Sequence, residues 1–159
     1  MSRIGANIGI MPSILDRIID PDSAGTVAQR GYTERQMEQA VRRDLEELLN
    51  TRQPYSDLPP QFVECRKSVL NYGLPDLNSL ESYTPTQREQ IGKVLEAIIT
   101  LYEPRLRDVH VTLRSGSEPT DRAIKFRVDA KLRLDPAPEV AFDTILELMT
   151  GHYTVQAAG

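Results

Sequence analysis

At 159 residues the chain is the size of one ordinary domain, and with 40% hydrophobic and 26% charged residues it can bury one core without disulfide or metal staples. Its formal net charge of −4 gives no global attraction to nucleic acid or anionic lipid. The single cysteine, Cys65, excludes an internal disulfide framework and fits a reducing compartment.

Residues 1–11 are mildly apolar but short, contain Asn7, and are followed at once by Asp16 and Arg17. They make a poor signal peptide and cannot span a bilayer, and the cytoplasm is the expected location. Pro12 is a good first-turn residue, and Ile14, Leu15, Ile18 and Ile19 recur on one face, so the spacing predicts a short amphipathic helix over 12–19. Asp20, Pro21 and Asp22 stop it, and a polar linker runs to Gly31. A short striped helix cut off by a linker reads as a docking element or as a helix packed on its own domain. Residues 1–30 are therefore set apart as an N-terminal docking segment, and 31–159 as a single domain.

Thr33 with Gln36 reads as a capping box opening a longer helix with the stripe Met37, Val41, Leu45, Leu48 and Leu49, ended by Asn50. Arg42, Arg43, Asp44, Glu46 and Glu47 read as its mixed-sign solvated face. Pro54, Pro59 and Pro60 break regularity, and 61–72 has room for a short helix before Gly73 and Pro75. The next helix runs from Pro85 to about Tyr102, with Ile91, Val94, Leu95, Ile98 and Ile99 at helical period. Pro104 ends it, because proline disfavours helical geometry in the residue before it.

From there the period becomes two. Val109, Val111 and Leu113 alternate with polar residues, and Gly116, Ser117 and Pro119 make a turn. Ile124, Phe126, Val128, Ala130, Leu132 and Leu134 share one face of a second strand. Val140, Phe142 and Leu146 mark a third strand, with helix as its rival, and Gly151 turns the chain into a last strand bearing Tyr153 and Val155. The expected fold is α+β, with N-terminal helices packed on a C-terminal antiparallel sheet of about four strands. With no tryptophan and three phenylalanines, its core must rest on Leu, Ile and Val.

Chemistry-bearing motifs are sparse. His110 and His152 lie far apart with no HExxH or CxxC, so no metal is expected. No phosphate-binding or dinucleotide fingerprint is present, and Ser115-Gly116-Ser117 reads as a loop, so no cofactor is expected. The polar face of the second strand carries Lys125, Arg127, Asp129, Lys131 and Arg133. This row is either a solvated face guarded against edge aggregation or a contact surface for an acidic partner centred on Arg127 and Lys131. Nucleic acid is disfavoured, since aromatic interleaving is missing. Glu103-Pro104-Arg105, at the exit of the long helix, is either a helix stop or a rigid corner presenting two opposite charges in fixed directions.

Several segments resemble the TssE family of type VI secretion baseplate subunits: Pro12 to Arg17, Val41 to Arg52, Ser68 to Asp76, Glu103-Pro104-Arg105, and Phe142-Asp143-Thr144 with Thr150-Gly151. TssE proteins are similar to a phage-tail baseplate wedge protein whose family carries a "lysozyme-like" label. The resemblance implies a cytoplasmic baseplate docked on the inner-membrane complex, TssF, TssG and TssK as partners, and contact with the TssB–TssC sheath. It also implies joining by strand addition at a sheet edge, for which 139–157 is the exposed candidate. On this reading Glu103 and Arg105 hold the joint by charge pairing, and Arg105→Ala spares the fold while abolishing sheath assembly. The alternative is a peptidoglycan-cleaving glycoside hydrolase with Glu103 as acid and Asp108 as second carboxylate. Against it, Arg105 beside Glu103 favours the ionised carboxylate, the wrong direction for an acid.

Overall fold

Ser13 opens the first helix. In the computed structural model its hydroxyl accepts from Asp16 N–H at 3.1 Å, while Asp16 Oδ2 accepts from Ser13 N–H at 3.0 Å and from its hydroxyl at 2.7 Å. This reciprocal cap starts α1 (Ile14–Ile19); Asp16 is buried, whereas Ile14 and Ile18 stay 77% and 76% exposed. The structure describes residues 12–19, 32–54, 58–75, 85–114, 123–147 and 150–158. The linker expected over 20–31 and the turn at Gly116–Pro119 lie outside the described residues. The chain divides into two compact units, Met1–Val41 and Arg42–Gly159, each considered by itself.

The Thr33–Gln36 capping box is present: Thr33 N–H donates to Gln36 Oε1 at 2.9 Å, and Gln36 N–H donates to Thr33 Oγ1 at 3.3 Å. It opens α2 (Glu34–Asn50), whose stripe Met37, Val41, Leu45, Leu48 and Leu49 is buried throughout. Between α2 and the next long helix lie the short α3 (Val63–Arg66) and a 3₁₀ turn at Val69–Asn71. The single short helix expected over 61–72 is thus split in two. Ser68 makes the break, its hydroxyl donating back to Cys65 O and accepting from Leu70 N–H. α4 (Pro85–Tyr102) has the bounds read from its prolines. Its apolar residues, however, form two lines. Ile91, Leu95 and Ile99, four apart, are buried, while Val94 on the adjacent line is 38% exposed.

Four antiparallel strands follow, β1 (Leu106–Arg114), β2 (Ala123–Leu132), β3 (Glu139–Glu147) and β4 (His152–Ala157), paired in chain order. The α+β class read from the sequence is the observed one, and 139–147 is strand, not helix. β1 starts three residues before Val109. Leu106 and Arg107 pair with Leu132 and Lys131, and a register break before His110 holds Asp108 at φ 53°. That left-handed conformation strains a residue with a Cβ. Asp108→Gly should raise unfolding stability by about 0.5 kcal/mol, and Asp108→Val should lower it, both read by thermal melts.

On one sheet face Ile124, Phe126, Val128, Ala130 and Leu132 of β2, Val140, Phe142, Thr144 and Leu146 of β3, and Tyr153 and Val155 of β4 are buried. Leu45, Leu48 and Leu49 of α2 and Ile91, Leu95 and Ile99 of α4 are buried too and complete an aliphatic core. Leu134 and Arg133, read as strand residues, lie past the end of β2. There the chain turns at a cis Asp135–Pro136 bond, and Arg133 N–H donates to Arg105 O at 2.8 Å.

The Tyr153 hydroxyl is buried with no hydrogen-bond partner among the described residues. Burial pushes its pKa up to about 12, opposed by the charge of Arg52. An unfolded tyrosine ionises near 10, so the folded state withholds a proton loss that the unfolded state enjoys. The stability Tyr153 contributes is therefore intact below pH 10 and is lost as pH climbs from 10 through about 12, a fall of about 3 kcal/mol. Tyr153→Phe should flatten that alkaline limb and leave stability at pH 7 unchanged or higher, as urea unfolding across pH will show.

Candidate functional site

Pro104 ends α4 abruptly, but Glu103 still closes its last turn, N–H to Ile99 O at 2.8 Å, and Leu106 N–H returns to Glu103 O at 3.1 Å. This tight corner folds Arg105 back over Glu103. Glu103 Oε1 accepts from Arg105 N at 3.1 Å and Nε at 2.7 Å, and Oε2 accepts from Nη2 at 2.5 Å. The same Nη2 reaches Asp44 Oδ2 on α2 at 2.5 Å, and Asp44 Oδ1 takes the Arg43 guanidinium at 2.9 and 2.6 Å. Glu103 is only 4% exposed. Burial alone would push the Arg105 pKa down, but hydrogen bonds and charge from Glu103, then from Asp44, outweigh it and hold it above its ordinary value. Tyr72 stands close by, its pKa raised by burial and then by the charges of Glu47, Asp44 and Glu103. Its ring meets Tyr102 edge-on at 5.2 Å.

A second convergence lies at the C-terminal end of α2. Leu74 N–H donates to Thr51 O and Gln53 N–H to Leu74 O, both at 2.8 Å, a short parallel bridge between Arg52 and Leu74. The Gln53 side chain also reaches the carbonyl and the side chain of Asn71. Gly73 makes this possible. Its φ is +107°, and a Cβ there would sit 2.4 Å from Thr51 O. Gly151, at φ +65° in the β3–β4 turn, is less constrained: a Cβ would lie 2.8 Å from Arg52 Nη2, the end of a flexible side chain. Of the segments carrying the sequence resemblance, Asp44 and Thr51–Gln53, Asn71–Leu74, Glu103–Arg105 and Gly151 are therefore drawn together about the C-terminal half of α2 and its end.

The outer polar face of α2 is not simply solvated. Arg42, Glu46 and Asn50 bond the backbone of β4, so the edge expected to be open along 139–157 is occupied at Tyr153 and Val155. Sequence reading missed these residues, along with Asp44 and Tyr72 of the charged cluster. The available signal was their spacing, since 42, 46 and 50 fall on one line of the helix.

Arg127 and Lys131 lie on the polar face of β2, where neighbouring strands supply carboxylates. Arg127 Nε donates to Asp129 Oδ1 at 2.8 Å, and that bond, then the charge of Asp129, hold its pKa up against desolvation, with a smaller push from Asp143 of β3. Lys131 Nζ sits 3.8 Å from both Asp108 and Glu139. Arg133, past the strand end, instead donates through Nε to Leu106 O at 3.2 Å. His110 Nδ1 is 3.2 Å from Glu96 Oε2. Among the described residues no three His, Cys, Asp or Glu side chains cluster as a metal site would require. As an acid Glu103 is badly placed, because both its oxygens are taken by Arg105 donors. A general acid must instead carry a proton toward a leaving group.

Corner, bridge and edge together define a small α+β scaffold whose polar residues tie its own elements to one another. The chain belongs to the family of baseplate wedge protein gp25, whose family model matches residues 35–137. A chain of a solved structure described as the baseplate complex from the type VI secretion system is similar to it, with a TM-score of 0.49 and 20% identity, covering 70% of this chain and 94% of that one. No curated protein matches the sequence.

Proposed function

We propose that this wedge-family protein serves a type VI secretion system as its TssE-type subunit, linking the baseplate wedge to the contractile sheath and supporting sheath assembly, without catalysis. The observation that carries the reading is the convergence of the resembling segments: Asp44 and Thr51–Gln53, Asn71–Leu74, and Glu103–Arg105 build one locked corner. A catalytic centre would keep reactive oxygens available to a substrate, whereas this cluster spends them on rigidity. TssF, TssG and TssK are the proposed baseplate partners and TssB–TssC the sheath, on the cytoplasmic side of the inner membrane.

Within that reading, Pro104 and Arg105 remain at the surface beside the buried Glu103 and form the proposed contact corner, with Arg105 22% exposed in its side chain. Arg127 and Lys131 offer a second surface toward an acidic partner, and the exposed Ile14 and Ile18 suit residues 1–30 to docking. The test is an affinity pull-down of the tagged chain from its native host, read by mass spectrometry, with a peptidoglycan-digestion assay on the same preparation. Recovery of TssF, TssG, TssK and sheath subunits without digestion supports the reading. Digestion abolished by Glu103→Gln, with none of these partners recovered, would overturn it.

A further inference from the structure

β4 is the last strand of the sheet, so alternate residues along it turn their N–H and C=O groups away from β3. At Tyr153 and Val155 all four of these groups are engaged by side chains of α2. Asn50 Nδ2 donates to Tyr153 O at 2.8 Å, and Tyr153 N–H donates to Asn50 Oδ1 at 2.9 Å. Val155 N–H donates to Glu46 Oε2 at 3.0 Å, and Arg42 Nη1 donates to Val155 O at 3.3 Å.

The geometry explains why a helix can do this. Four residues of α-helix rise about 6 Å, and two residues of strand advance about 6.6 Å, so Glu46 and Asn50 keep step with Val155 and Tyr153, while the longer Arg42 side chain reaches back to Val155 O. The opposite edge has a smaller counterpart, since Glu96 of α4 accepts from Val111 N–H of β1 at 3.2 Å.

We propose that Arg42, Glu46 and Asn50 form an edge lock that stands in for a fifth strand. The lock keeps β4 closed to pairing with a second copy of this chain, and strand addition through β4 requires α2 to give up these four bonds. A second copy is the occupant to expect once the lock is removed, because two identical antiparallel edges satisfy each other about a twofold axis. The lock is a property of the fold and holds whether or not the baseplate reading does.

The test uses the full chain carrying Glu46→Ala with Asn50→Ala, followed by amide hydrogen exchange and sedimentation. The Tyr153 and Val155 amides should exchange on the order of fivefold faster or more, and the average mass should rise toward a dimer with concentration. Glu46→Gln keeps an acceptor for Val155 and should stay monomeric and protected. Should the double variant not fold, Asn50→Asp replaces it. Its carboxylate still accepts from Tyr153 N–H but faces the Tyr153 carbonyl with no donor, and dimerisation should again appear. Unchanged protection with a monomeric double variant, or a monomeric Asn50→Asp, overturns the proposal.

Discussion

Arg105→Ala is expected to cost about 3 kcal/mol of folding stability, the lower end for breaking a buried ion pair from one side. With a urea slope of about 2 kcal/mol/M that is a midpoint fall of roughly 1.5 M. The sequence reading had this variant sparing the fold, because it took Glu103 and Arg105 as facing outward. The structure buries Glu103 and folds Arg105 back over it, leaving the Arg105 side chain 22% exposed. Removing the guanidinium takes two bonds from the Glu103 carboxylate, 4% exposed, leaving it only the Arg105 backbone N–H, and takes from Asp44 a 2.5 Å partner. A partly solvated Arg105 keeps the loss from reaching the top of the range. Glu103→Gln should cost less, because the amide oxygen still accepts from Arg105 and Asp44 still balances its charge. A double-mutant cycle with Asp44→Asn then separates the two links. A coupling energy between 44 and 105 near zero, or an Arg105→Ala midpoint equal to wild type, would return the corner to a purely outward role.

The correction shows what kind of information the residues held. β2 was legible because one wholly apolar face leaves a period-two strand a single way to sit, and all five of its inner residues are buried. α4 was legible because Pro85 and Pro104 bracket it. The start of β1 was not legible: its pairing of Leu106 with Leu132 depends on a register break at an aspartate, which carries no strong local signal for φ above zero. The roles of Arg42, Glu46 and Asn50 were also hidden. Whether water or a strand edge lies against a polar helix line is decided by chain more than 100 residues away, as with Asn50 and Tyr153, separated by 103 positions.

The same limit applies to the corner itself. Asp44 and Arg105 are 61 residues apart, and nothing local marks them as partners. The resemblance to a known family singled out Glu103, Pro104 and Arg105 without saying which way they point. Rigidity and contact need not compete here. If the proposed contact role holds, a corner fixed from behind by Asp44 and Glu103 would present Pro104 and the rim of Arg105 with little conformational entropy left to lose on docking.

Gly73→Ala should be among the most destabilising single-methyl changes in the chain, costing about 3 kcal/mol or more through backbone strain and lost bonds together. The φ of +107° at Gly73 is one that residues with a Cβ rarely adopt. The added carbon would also come within 2.4 Å of Thr51 O, a backbone atom that has no rotamer to escape through. Relieving that overlap means separating Thr51 from Leu74, which breaks the paired 2.8 Å bonds Leu74 N–H to Thr51 O and Gln53 N–H to Leu74 O. Leu74 is 1% exposed, so its side chain would be drawn from the core as well. Tyr72, next in the chain, would lose its place beside Asp44 and Glu103, so the charged corner should loosen with the bridge. Two glycines serve as controls. Gly92 has only Val111 O near its missing Cβ, at 3.4 Å, and lies inside a helix, so Gly92→Ala should be neutral or slightly stabilising. Gly151→Ala meets the end of a flexible Arg52 side chain and should fall between the two. Thermal melts of the three variants should therefore rank Gly92→Ala above Gly151→Ala above Gly73→Ala. A Gly73→Ala midpoint within a degree or two of wild type would mean the bridge between Thr51 and Leu74 does not hold the corner in place.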